Sequence, residues 1–133
     1  LFTSDLNKDN TMTEKEVIVS SDEKVVVEDQ LAGERVLLNE VTISDASWVV
    51  VHEEVEGILG NALGARRLDA GTHMGDYVEL LRNTETGGIY HVLLYIDNGD
   101  KEFNLDDDKL IVDKNGVSVG TTFEAIRVDR KTN

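Results

Sequence analysis

The octapeptide SWVVVHEE, residues 47–54, restricts the fold more than any other part of the chain. Consecutive β-branched valines lose rotamer freedom in a helix and sit well on a pleated strand. Trp48, Val50 and His52 alternate with Val49, Val51 and Glu53, so the two sets point to opposite faces of that strand. Comparable runs recur along the chain: KVVVEDQ (24–30), ERVLLNEVTI (34–43), DYVELLR (76–82), GIYHVLLYID (88–97), DKLIVDKNGVSVG (108–120) and TTFEAIRVDR (121–130). Strands at a spacing of about 8–12 residues, with turn signals between them, predict an all-β fold. The expected architecture is an antiparallel β-sandwich, immunoglobulin-like, with about seven or eight strands.

Proline is absent, so the turns must rely on Gly, Asn and Asp, and eleven glycines are available. Asn115-Gly116 is the strongest hairpin signal, and NTETGG (83–88) reads as a hairpin joining the strands on either side of it. The segment 56–75, EGILGNALGARRLDAGTHMG, departs from the strand pattern. It reads as a long connection with a helical turn through Ile58, Leu59, Ala62 and Leu63. Its glycines do not make a phosphate loop, because no Lys-Ser or Lys-Thr follows and no βαβ unit surrounds them.

A chain of 133 residues suits one domain with a real core. Its 27 acidic against 13 basic side chains give a net charge of −14. That surface repels nucleic-acid phosphates and anionic membranes, so no nucleic acid partner is expected. No apolar run approaches the roughly 20 residues of a membrane span, so no membrane insertion is expected either. The absence of cysteine excludes disulfides and thiolate chemistry. No signal peptide is visible in LFTSDLNKDN, so an exported protein would be read here in its mature form. None of the serines sits in a nucleophile elbow, and no enzyme is expected.

Hard oxygens at fixed spacing are the chief chemical signal. In DLNKDNTMTEKE (5–16), Asp5, Asn7, Asp9, Thr11, Thr13 and Glu16 fall at the first, third, fifth, seventh, ninth and twelfth places of a calcium loop. Met12 supplies the apolar residue at the eighth place, while Asn10 stands where glycine usually turns the chain. The next residues, EVIVSS, read as strand, so this would be an isolated calcium loop and not a helix–loop–helix unit. A second acidic stretch, DNGDKEFNLDDDK (97–109), carries Asp97, Asn98, Asp100, Glu102, Asp106, Asp107 and Asp108. Among the three histidines, His52 ends one strand and His73 opens the loop before another, so a sandwich could bring them together as a zinc or copper site. His91 lies mid-strand and reads as structural.

Three features carry a resemblance: a valine-rich strand ending in histidine (Val49–His52), an L-x-A-G-x-H turn (Leu68–His73), and a glycine-initiated strand leading into Asp-x-Gly-Asp (Gly88–Asp100). Together they make most of the chain, about residues 25–130, similar to an uncharacterised family of β-sandwich domains. That family occurs in surface and secreted proteins of archaea, notably halophiles, and of some bacteria. The strand before Asp-x-Gly-Asp often ends in histidine there, whereas this chain has Tyr95. The resemblance implies an extracellular or cell-surface location and a structural or adhesive role. Residues 1–24 read as an N-terminal extension and 25–133 as the sandwich domain. The extension's strand, with Val17 and Val19 alternating, could pack on its own domain or be exchanged between copies to build a homo-oligomer or filament. The expectation is therefore a non-enzymatic, calcium-stabilised surface module. The alternative is a module binding a glycan or transition metal through His52 and His73.

Overall fold

The computed structural model describes residues 17–19 and 22–127. Its regular elements are all strands. In chain order they are β1 (Val17–Val19), β2 (Lys24–Val26), β3 (Gln30–Leu31), β4 (Arg35–Leu38), β5 (Glu40–Ile43) and β6 (Ser47–Val55). Then follow β7 (Ile58–Leu68), β8 (Gly71–His73), β9 (Asp76–Glu79), β10 (Ile89–Ile96), β11 (Lys109–Val112) and β12 (Gly120–Ile126). The fold is an all-β, predominantly antiparallel sandwich. Twelve segments replace the seven or eight expected, because the run 24–30 is split between layers and the ribbon of the smaller layer is broken at a kink.

The larger layer is built on β6 and β10, which hold seven consecutive cross-strand pairs from Tyr90 opposite Glu53 to Ile96 opposite Ser47. The valine run makes this pairing: Trp48 and Val49–Val51 are β-branched or aromatic residues that sit well on a pleated, half-buried surface. β7 lies on the far edge of β6. The other edge of β10 is shared by β12, through Ile89–Leu93, and by β11, through Tyr95 and Ile96. Two short parallel pairings finish the layer, β3 beside β12 and β1 beside β11.

The smaller layer is one long ribbon. β4 pairs with β9 and β5 with β8 in a common register, which sets Asn39 opposite Gly75 at the break between them. Gly75 has φ +81°, and the inward-facing residues change from Val36 and Leu38 to Val41 and Ile43 across this kink. β2 flanks β5, and the Asn39 side chain accepts from the Glu28 amide to hold the next turn.

The two layers meet through Val36, Leu38, Val41 and Val78 from one side and Val49, Val51, Val92 and Leu94 from the other, each at most 1% exposed. Complete burial of such side chains stabilises by about 1.5–3 kcal/mol each before chain entropy is counted.

Three sequence expectations are corrected. Residues 58–68 form an eleven-residue strand and not a connection with a helical turn. Glu56 and Gly57 have φ +53° and +79°, a two-residue hairpin of the type whose twist suits adjoining strands. Glu-Gly lacks the asparagine that usually announces such a turn, and Gly60, Ala62, Gly64 and Ala65 look unlike strand residues. Their smallness has a packing reason: a Cβ on Gly64 would collide with the Glu79 carbonyl oxygen. NTETGG is not a hairpin either, since β9 pairs with β4 while β10 pairs with β6. That segment crosses between layers, tied by the Thr84 amide to Gly33 O at 2.9 Å. The run 24–30 is likewise split, its β2 in the smaller layer and β3 in the larger. Asn115-Gly116 does turn the chain, with Gly116 at φ +84° and the Asp113 amide donating to Val117 O.

Gly120 opens β12 directly against β10, where a Cβ would collide with the Val92 carbonyl oxygen. Gly120→Ala is expected to lower stability to urea by about 1–3 kcal/mol, as overpacking does. Gly33→Ala, with nothing within 4 Å of its Cβ position, should stay within about 0.5 kcal/mol of the parent.

Candidate cation-binding loop

The pleat of β6 and β10 sends Val49, Val51, Val92 and Leu94 into the sandwich and leaves Trp48, Val50, His52, Leu93 and Tyr95 on the outer face. Register places Tyr95 opposite Trp48 and Leu93 opposite Val50. An apolar patch of that kind needs a cover. Phe103 supplies it, with ring centroids 5.7 Å from Trp48 and 5.5 Å from Tyr95. The loop between β10 and β11 is thus folded over the outer face of the larger layer.

Short polar side chains give that loop its shape. Asp97, Asn98, Asp100 and Asn104 each accept a bond from the amide two residues on, at 2.8–3.3 Å. This is the local turn chemistry that Asp and Asn favour. Gly99 and Lys101 take positive φ, +104° and +62°. Asp108, 3% exposed, closes the loop: its Oδ1 accepts from the Asn98 amide and its Oδ2 from the Asn104 amide.

Asp97 is fixed from the other side. Arg67 on β7 donates from Nε to Asp97 Oδ2 at 2.7 Å and from Nη1 to Asp69 at 2.9 Å. The Arg67 hydrogen bond holds the Asp97 carboxyl below the usual carboxylate range, and Asp97 in turn raises the guanidinium. Carboxylate oxygens of Asp97, Asp100 and Asp108 lie within 4.8 Å of one another. Like charges at about 4 Å repel by roughly 1 kcal/mol even in bulk water, more near a protein surface, and one guanidinium offsets only part of that. A hard divalent cation fits such a donor set. Of the seven candidates named in the stretch 97–109, the fold brings these three together.

The other predicted residues stand differently. Asp5, Asn7, Asp9, Thr11, Thr13 and Glu16 lie outside the described residues. His52 and His73 are on different layers and are not brought together. His52 faces the outer side, where Nδ1 is 3.0 Å from Gly60 O and Nε2 is 3.1 Å from Tyr95 Oη. A neutral ring meets both partners, donating from Nδ1 to the carbonyl and accepting at Nε2 from the tyrosine hydroxyl. Burial, aided by His91 opposite, lowers the His52 pKa, and burial raises that of Tyr95. Tyr95, the residue at which this chain departs from the resemblance, is therefore a packing partner of His52. His73 is bound within the smaller layer, Nε2 to Asp69 O at 2.7 Å and Nδ1 3.5 Å from Asp76. His91 Nε2 meets Glu54 Oε1 at 2.8 Å. Sequence reasoning missed Arg67 and Phe103, since a contact spanning 30 residues leaves no local signal.

A cleft of about 430 Å³ on the same layer is lined by Glu53, Glu54, Arg82, Glu85 and Tyr90 among others, and Arg82 is already paired with Glu53.

The family described as Domain of unknown function (DUF7282) matches residues 23–125. The chain belongs to this family. No curated protein and no solved structure matches it. The match takes in β2 to β12 almost entirely, and with them the three converging aspartates.

Because the folded pKa of His52 lies below its unfolded value, the unfolded chain binds the extra proton first as pH falls. Its contribution is present above about pH 6.5 and is lost below it. Urea titrations at pH 7.5 and 5 should therefore show stability falling for the parent and falling less for His52→Gln. Asp97 acts in a lower window: its contribution is present above the ordinary carboxylate range and is lost as pH drops through it.

Proposed function

We propose that this chain is a non-enzymatic structural or adhesion module of a surface or secreted protein, and that the loop between β10 and β11 takes up calcium. The setting follows the resemblance to domains of archaeal, notably halophilic, and some bacterial surface proteins. The carrying observation is the convergence of Asp97, Asp100 and Asp108 on a loop whose Phe103 also covers the outer face of the sheet. Calcium takes six to eight oxygens in adaptable geometry, so three carboxylates would be joined by carbonyl and water oxygens. Magnesium demands a stricter octahedron, and zinc would seek imidazole or thiolate, neither of which joins this group. Bound calcium would relieve the repulsion among the carboxylates and stiffen the cover over Trp48 and Tyr95. Function here is mechanical: the cation makes the module rigid, and the acidic surface keeps it soluble in high salt.

The test is thermal unfolding in calcium and in chelator. A ligand at a hundredfold excess over its dissociation constant adds about 2.7 kcal/mol, a rise on the order of 10 °C for a domain of this size. Asp100→Ala, which removes the most exposed of the three carboxylates, should abolish most of the rise. An unchanged melting temperature in calcium would refute the proposal. A response lost in Asp5→Ala and kept in Asp100→Ala would move the site to residues 5–16.

A further inference from the structure

We propose that β1 is an exchangeable strand, with Val17–Val19 of one copy pairing along β11 of another and setting Ile18 into that copy's core. The inference goes beyond the calcium reading and does not depend on it.

Four observations lead there. The family match begins at residue 23, so β1 lies ahead of the part of the chain that defines the domain. Without β1, the edge of Leu110–Val112 that it covers has no other strand partner among the described residues. Its other edge is served by Tyr95 and Ile96 of β10 and by Val119, whose amide donates to Ile111 O. An unpaired edge is a template for another strand, and proteins usually cover it. The edge is also apolar: Ile111 and Val112 are 1% and 4% exposed, and Ile18 packs against the core cluster beside them.

The second pair of observations concerns the donor. β1 pairs with β11 alone among the described strands, so nothing else in the sheet specifies which copy it must come from. Only four residues separate Val19 from Lys24, yet β1 belongs to the larger layer and β2 to the smaller. β1 and β2 thus belong to different layers, and exchange seats β1 on the β11 of a neighbour. An exchanged strand makes the same contacts in the same parallel register, Val17 to Leu110, Ile18 to Ile111 and Val19 to Val112. Exchange of an identical element is a low-cost route to assembly. Reciprocal exchange closes a dimer, and head-to-tail exchange builds an open chain. Repulsion between copies carrying −14 each opposes both, so screening by salt should promote exchange.

The chain has no cysteine, which makes crosslinking clean. Val17 and Leu110 are direct partners on neighbouring strands, within the Cα separation that a disulfide spans. Full-length Val17→Cys and Leu110→Cys chains are mixed, concentrated and oxidised, and the products are read on non-reducing gels and by intact mass. Exchange predicts a mixed disulfide dimer severalfold above the homodimer background of either variant alone. It should increase with protein and salt concentration and disappear when Ile18→Asp is added to the donor chain. No mixed dimer above background, with the Val17→Cys/Leu110→Cys chain closing wholly within itself at every concentration, would overturn the proposal. Sedimentation of the unmodified chain gives the independent reading: a strict monomer up to high concentration and salt would overturn it equally. A calcium response would survive either result, so the two proposals fail separately.

Discussion

The antiparallel pairing of β6 with β10 is the interaction on which everything else depends. Its seven registered pairs fix two faces at once. One face carries Val49, Val51, Val92 and Leu94 into the core, and the other carries Trp48, Val50, Leu93 and Tyr95 outward. Because side chains alternate with period two, a slip of one residue would exchange the sets and bury Trp48, His52 and Tyr95 in the sandwich. Such a strand pair cannot be displaced without losing the core. The position of Asp97, which directly follows β10, is set by the same ladder.

From that ladder the acidic loop inherits its geometry. Arg67 reaches Asp97 because β7 is registered on β6, with Arg67 opposite Trp48. Phe103 reaches Trp48 and Tyr95 because those two rings are cross-strand partners. The loop is then held at both ends, by Arg67 at Asp97 and by two backbone amides at Asp108. Three carboxylates gathered on a chain of net charge −14 are costly to keep together. An arrangement that pins two of them with four hydrogen bonds and leaves the third exposed is suited to receiving a cation.

His52 shows how a residue type alone misleads. An imidazole at the end of a valine strand can serve a metal or close a polar gap in a packed face. Here its two nitrogens meet the Gly60 carbonyl and the Tyr95 hydroxyl, and the bulge between β6 and β7 brings that carbonyl within reach. Burial keeps the ring neutral, so it works as a fixed hydrogen-bonding wedge and not as a titrating ligand at neutral pH.

The sequence by itself determined the class of the fold, because β-branched alternation is a local steric preference that each run expresses alone. It also determined the acidic character of the chain, the turn at Asn115-Gly116, and the stretch 97–109 within which the carboxylates gather. Tertiary structure decided which strands pair, since hydrogen-bonded neighbours are chosen by burial across the whole sandwich and not by adjacency in the chain. That is why NTETGG crosses between layers instead of turning a hairpin, and why the glycine- and alanine-rich run 58–68 is a strand whose smallness lets β9 approach. Tertiary structure alone also chose Asp97, Asp100 and Asp108 from seven candidates; Arg67 holds Asp97 and Phe103 packs the loop on Trp48, contacts whose sequence separation leaves no local trace.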